Sequence, residues 1–203
     1  MSNRKIGVLV SGRGSNFQAV LEKIKKENVP AEIVVVISDK ADAYALTRAK
    51  EAGIDNVALV RKSFASKDEF EAAIQKVLID HGVELVVLAG FMRILSGKFV
   101  HNWKHSIINI HPALLPSFKG IDAQGQALDY GVKVAGCTVH FVDEGMDTGP
   151  IIMQKAVPVL DNDTHDTLAA RILVQEHLAL PEVVKLWCEG KLRVEGRKVF
   201  ICQ

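Results

Sequence analysis

The sequence predicts an α/β protein: a mostly parallel, twisted sheet with helices on both faces and an antiparallel extension toward the C-terminal end. Three observations predict it. Short, nearly continuous apolar runs rich in Val and Ile recur at residues 5–10, 31–38, 84–90 and 106–110, as expected of strands covered on both faces. Segments of helical periodicity separate them, which is the strand–helix–strand pattern of a doubly wound sheet. After residue 135 the pattern changes, and two apolar runs are divided only by a short acidic, glycine-containing turn.

"KIGVLV" opens the chain as a strand, and "SNFQAVLEKIKKEN" follows with Phe17, Val20, Leu21 and Ile24 on one stripe and its lysines on another. "AEIVVVIS" is the second strand. "ADAYALTRAKEAG" reads as a helix stopped by Gly53. "SKDEFEAAIQKVLIDHG" spaces Phe70, Ile74, Val77 and Leu78 on one helical face before Gly82, and "ELVVLAG" and "SIINI" continue the parallel sheet. "GCTVHFVDEGMDTGPIIMQKAVPVL" supplies two antiparallel strands. "THDTLAARILVQEHLALPEVVKLWCEG" is a long helix from Thr164 to about Glu189, with Pro181 expected to kink or break it. The tail "KLRVEGRKVFICQ" forms a hairpin turning at Glu195 and Gly196.

A chain of 203 residues that is 48% apolar builds one sizeable core and is marginal for two, so one domain over 1–203 is expected. Lys and Arg (25) nearly balance Asp and Glu (24), a net charge of +1, so nucleic acid and anionic membrane are unexpected partners and a small molecule is the default. The basic start is followed by too short an apolar run for a signal peptide, and no run nears the ~18 residues that span a bilayer. A cytoplasmic location follows. Cys137, Cys188 and Cys202 are odd in number and lack CxxC spacing, so they read as reduced thiols.

In a doubly wound sheet ligands bind at the carboxyl ends of the strands. "SGRGSN" (Ser11 to Asn16) follows the first strand and opens a helix, where glycines allow close backbone approach and the helix amino terminus favours an anion. Phe17 stands where a dinucleotide fingerprint needs glycine, and no Gly-Lys-Ser/Thr ending is present. A single phosphate monoester fits better; the alternative is a tight turn with Ser15 capping the helix. "AGFMRILS" sets Phe91, Met92, Ile94 and Leu95 around Arg93, and such apolar side chains ordinarily pack as core. "SIINIHPALLPSFKG" places Asn109 and His111 where a buried strand meets a proline-stiffened loop. "VHFVDEGMDTGPII" carries His140, Asp143, Glu144 and Asp147, and loop acids are commonly solvated. His101 and His105 have metal-ligand spacing on an expected helix but no third ligand nearby. "DNDTHD" has Asp166 and Ile172 where a calcium loop needs Gly and Glu, and reads instead as a helix cap. No metal is expected.

Four of these motifs, "LVSGRGSN", "LAGFMRILS", "NIHPALLPSFKG" and "GCTVHFVDEGMDTGPII", stand in the order and at the spacing of the folate-dependent glycinamide ribonucleotide formyltransferases, and the chain resembles that family over essentially its full length. The resemblance implies a Rossmann-like formyltransferase fold, with 10-formyltetrahydrofolate as formyl donor and glycinamide ribonucleotide as acceptor in de novo purine synthesis. By the same resemblance Asn109, His111 and Asp147 are the catalytic residues, Gly14, Ser15 and Asn16 the phosphate cradle, and Glu176 the acid that binds the ribose hydroxyls. Met92, Arg93, Ile94 and Leu95, with Val142, Asp143, Glu144 and Asp147, hold the pterin largely through main-chain groups. It divides the domain into a phosphate-binding half (1–100) and a catalytic and folate-binding half (101–203). Some relatives carry a polar residue where Leu173 stands, so a phosphate contact from that helix is not expected here. Monomer and homodimer are both open.

The chemistry of formyl transfer suits these letters. A neutral amine attacking a formyl carbon creates an oxyanion and a protonated amine together, so a donor and a proton acceptor are needed at once. The expected roles are Asn109 as amide donor, His111 as a charged donor held protonated beside Asp147, and Asp147 as the group that orients it and accepts the amine proton through water. Methionyl-tRNA formyltransferase and formyltetrahydrofolate deformylase share such a core but bring further domains. A nucleotide-binding module using "SGRGSN" without catalysis leaves the Asn, His and Asp set unexplained.

Overall fold

The computed structural model describes residues 3–202, so Met1, Ser2 and Gln203, the outermost positions of the expected domain, lie outside it. The elements in chain order are β1 (Arg4–Val10), α1 (Ser15–Glu27), β2 (Ala31–Ser38), α2 (Tyr44–Glu51), β3 (Asp55–Ala58), α3 (Lys67–Asp80), β4 (Leu85–Leu88), α4 (Gly97–Asn102), β5 (Ile107–His111), α5 (Ala123–Tyr130), β6 (Val134–Phe141), β7 (Ile151–Pro158), α6 (His165–Cys188), β8 (Leu192–Glu195) and β9 (Lys198–Ile201).

All nine strands join one sheet in the order β3-β2-β1-β4-β5-β6-β7-β9-β8. The first five run parallel; β6 is antiparallel to β5 and β7 to β6. The tail hairpin β8–β9 joins the edge through the pair Ile151 and Lys198. The chain winds outward from β1 in one direction and from β4 in the other, so the switch point lies between β1 and β4, where Ser11 N–H donates to Gly90 O at 3.0 Å.

Strand side chains alternate between the faces. Ile6, Val8 and Val10 of β1 and Leu85 and Val87 of β4 enter a core shared with α1, α2 and α6, through Phe17, Val20, Ala45, Leu168 and Ile172 among others. Leu9, Val86 and Leu88 enter a second core with α3 and α4, through Phe70, Ile74, Leu78 and Phe99. Helices therefore cover both faces.

The break allowed for at Pro181 does not occur, and one strand was not foreseen. Pro181 lies inside α6, which runs on without a break. A helix-interior proline costs about 3 kcal/mol, but Leu180, Val183 and Val184 beside it are buried, and each full burial contributes roughly 1.5–3 kcal/mol. Packing wins. The short edge strand β3 went unread because "DNVA" has no apolar pattern, and its residues are mostly exposed. No helix among the described residues is long and apolar enough to cross a membrane.

Candidate functional site

The pleat of β5 and β6 builds the site. Asn109 stands opposite His140, and His111 opposite Thr138. Ile108, Ile110, Cys137, Val139 and Phe141 point into the α1/α6 core. The alternate residues, Asn109, His111, Thr138 and His140, therefore share the other face. The connection between β6 and β7 returns over this face and brings in Asp147, whose Oδ2 lies 3.5 Å from His111 Nδ1 and whose Oδ1 lies 3.7 Å from His140 Nε2.

The hydrogen bonds fix which atoms are free. His140 Nδ1 lies 2.8 Å from Phe141 O, which only accepts, so Nδ1 carries hydrogen. Its Nε2 lone pair then meets one N–H of the Asn109 amide at 3.2 Å, leaving the second Asn109 N–H available. His111 Nε2 lies 2.8 Å from Phe118 O and by the same reasoning is the protonated nitrogen, so Nδ1 faces Asp147. Gly120 N–H donates to Asp147 Oδ2 at 2.9 Å. The loop after β5 thus touches both members of the pair through its main chain. Its base is pinned by buried Thr138, whose hydroxyl donates to Ala113 O at 2.6 Å and accepts from Leu115 N–H at 3.0 Å. Asp147 has φ +52°, a left-handed conformation that Asp tolerates better than most residues. Asp143 braces this turn by accepting from Gly145 N–H and Thr148 Oγ1.

The electrostatics revise one expectation. Burial is the largest influence on His111 and pushes its pKa below the usual histidine value, outweighing the upward pull of Phe118 O and Asp147. At pH 7 this favours the neutral ring over the cation that was expected. Burial alone raises Asp147, but His140, the Gly120 N–H and His111 together outweigh it, and its carboxyl sits below the ordinary aspartate value.

In the first loop the helix cap is Gly14, at φ +71° and without a side-chain cap, so Ser15 does not cap α1 as the alternative reading required. A side chain at Gly14 would lie 2.6 Å from Ala45 Cβ. The first N–H groups of α1 have no intrahelical partners. The Asn16 side chain is turned inward between α1 and α6, where Nδ2 donates to Glu176 Oε2 at 2.7 Å and Oδ1 is buried without a partner. Glu176 is itself only 7% exposed, not on a solvated face, and burial, only partly offset by Asn16, raises its pKa.

The loop after β4 splits. Phe91 and Leu95 are buried as core, whereas Met92 and Ile94 are 68% and 63% exposed. Met92 N–H donates to Ser11 Oγ at 2.8 Å, which ties this loop to the first one. Arg93 Nε donates to buried Asp39 at 2.7 Å. Ser96 donates to buried Glu71 of α3 through both N–H and Oγ. Val142 and Asp143 are half-buried and Glu144 is exposed. Leu173 is half-buried on α6 and brings no polar atom.

His140 was missed as a site residue, although the alternation of Cys137, Val139 and Phe141 with Thr138 and His140 marks it as belonging to the other face. His101 is on α4, but the helix ends at Asn102, and His105 lies beyond it at φ +57°, so the two do not share a helical face. "DNDTHD" does cap a helix: Thr164 and Thr167 form a reciprocal capping box on α6.

Fold and cluster together define a doubly wound α/β protein with an amide, imidazole and carboxylate acid–base site beside the switch-point loops. The chain belongs to the formyl transferase family, which it matches over residues 4–184. It is 48% identical over 198 residues to the trifunctional purine biosynthetic protein adenosine-3 of Gallus gallus, covering 98% of this chain and 20% of that protein. The chain spans a fifth or less of the length of such trifunctional relatives. It is also 48% identical over 182 residues to the phosphoribosylglycinamide formyltransferase of Bacillus subtilis (strain 168), covering 90% of this chain and 93% of that one. The structure of glycinamide ribonucleotide transformylase 1 from Symbiobacterium toebii superposes with a TM-score of 0.96 at 50% identity, covering 99% of this chain and 95% of that one.

Proposed function

We propose that the protein transfers the formyl group of 10-formyltetrahydrofolate to the amine of glycinamide ribonucleotide, a step of de novo purine synthesis. The observation that carries this reading is the gathering of Asn109, His111 and Asp147 on one sheet face, in a chain whose relatives of similar length bear that activity's name.

As the amine attacks, charge develops on the formyl oxygen, and the free N–H of Asn109 is the donor for it. Neutral His111, with Nδ1 unprotonated, accepts the proton released by the amine. The imidazolium so formed lies beside Asp147, and the 3.5 Å contact becomes a charged hydrogen bond that stabilises the intermediate next to its oxyanion. Collapse breaks the bond between the formyl carbon and the folate nitrogen, which takes the proton back from His111. One amine proton is thereby moved to the departing folate, and His111 is restored. His140 holds the Asn109 amide in orientation.

Gly14, Ser15 and Asn16 are assigned to the phosphate, through α1's free N–H groups, and the buried Asn16–Glu176 pair to the ribose hydroxyls. The exposed Met92 and Ile94 offer apolar surface for a flat heterocycle, with Arg93, Leu95 and the Val142–Asp147 segment completing the folate slot. In this assignment one domain is divided between a phosphate-binding half (1–100) and a catalytic half (101–203), with the Met92–Leu95 loop lent by the first half.

The test incubates the protein with 10-formyltetrahydrofolate and follows folate absorbance with glycinamide ribonucleotide, with formylatable tRNA, and with neither. Turnover that requires the ribonucleotide is expected. Consumption with no acceptor makes the protein a hydrolase and overturns the proposal.

A further inference from the structure

Phe118, Gly120 and Asp122 all have positive φ, at 52°, 81° and 54°. For residues bearing a Cβ this conformation costs roughly 1–2 kcal/mol each, so local preference does not give the loop its shape. The shape matters because Phe118 O holds His111 and Gly120 N–H holds Asp147.

Gln126, on α5, has its side-chain nitrogen 3.1 Å from Lys119 O and 2.8 Å from Ile121 O. An amide NH2 has two hydrogens, so both bonds form together. The carbonyl of Lys119 and the N–H of Gly120 belong to the same peptide unit. That unit is planar, so fixing the direction of its oxygen fixes the direction of its N–H. A continuous path therefore runs from the Gln126 amide through one rigid peptide to the carboxylate, and bonds arranged in series in this way polarise and strengthen one another.

We infer that Gln126 is a positioning residue for Asp147, acting through the Lys119–Gly120 peptide. It touches neither Asp147 nor His111 among the contacts described. Loss of its donor frees the peptide to rotate, Gly120 N–H leaves the carboxylate, and Asp147 loses one of the groups that keep its pKa low. The other titratable groups facing Asp147, His111 of β5 and His140 of β6, are untouched by a change at Gln126.

The kinetic consequence rests on the proposed formyl transfer; the titration of Asp147 does not. Gln126→Met keeps the length and removes the donor, whereas Gln126→Lys keeps a donor. In Gln126→Met, kcat should fall about 10-fold, inside the ~10²-fold that an ångström of misplacement can cost, with both Michaelis constants within about two-fold of the parent's. The Asp147 carboxyl, followed by carbon NMR in the ligand-free protein and assigned with Asp147→Asn, should titrate at higher pH than in the parent. Gln126→Lys should recover most of kcat and the parent's titration. An unchanged Asp147 titration in Gln126→Met, or a loss of kcat that Gln126→Lys does not repair, overturns the inference. If the parent transfers no formyl group, the proposed function fails, and the titration alone decides the role of Gln126.

Discussion

Glu176 and Asp147 are both largely buried carboxylates, yet their surroundings drive them in opposite directions. Glu176 lies between two helices with a single donor, Asn16, and desolvation prevails, which favours the protonated form. Asp147 is somewhat less enclosed, over a sheet face, and the Gly120 N–H and the rings of His140 and His111 outweigh its desolvation. Depth alone does not set the charge of a carboxylate. Its partners decide as well, and here they leave Glu176 with a raised pKa and Asp147 with a lowered one, beside an imidazole able to carry a transient positive charge.

The largest test of that contrast removes the anion or its partner. His111→Ala or Asp147→Asn should lower kcat by ~10²–10⁴, as loss of a general base or its orienting group does, while calorimetry still detects both substrates. Near-normal turnover in either variant would break the assignment.

Next in size is the other carboxylate. Glu176→Ala should raise the Michaelis constant for glycinamide ribonucleotide by about 10- to 100-fold, from hydrogen bonds to a carboxylate worth roughly 1.5–3 kcal/mol. The folate constant should hardly change. Equal weakening of both substrates would mean that the α1–α6 packing has been damaged instead.

The pH profile sharpens the comparison within the catalytic pair. His111 must be neutral to accept a proton, and its pKa lies below the usual histidine value of about 6.5. Activity should therefore rise through a midpoint below 6.5 and stay level across neutrality, with Asp147 ionised throughout. A rate that falls steadily between pH 6 and 8 would show that the imidazolium is the required form.

The smallest effect is on stability. Glu176 has a folded pKa above the usual 4.5, so between that value and its raised pKa the folded protein keeps a proton that the unfolded chain has released. This contribution is complete below pH 4.5 and is lost as pH rises through the folded pKa. Glu176→Gln does not titrate, so its melting temperature relative to the parent should improve from pH 4 to pH 8. A difference independent of pH would mean that Glu176 is not desolvated.

The legible parts of the sequence were those in which one physical demand dominates. β1, β2, β4 and β5 were plain because burial on both faces leaves uninterrupted apolar runs. α1 and α3 were plain because one-sided burial leaves a stripe. β3 and α5 were not, since a polar edge strand and a short helix with little apolar periodicity look like loop. Asn109, His111 and Asp147 were marked by their setting and by resemblance. His140 needed the strand's period to be followed one step further. Phe118 O and Gly120 N–H were beyond reach, because a main-chain group leaves no letter of its own.

The alternation along β6 also limits how this chain tolerates changes in length. A single residue inserted inside β6, between Gly136 and Cys137, would leave every site residue present and in order, and an alignment would register only a gap. If the residues before the insertion kept their places, His140 would move to the face now held by Val139 and Phe141, and Val139 would stand opposite Asn109. The strand resists this because the shift would turn His140 into the apolar core and take Cys137, Val139 and Phe141 out of it at once. Length changes inside β6 should therefore be admitted only in steps that restore the strand's parity, whereas the turn before Val134 can take up a residue without moving the site.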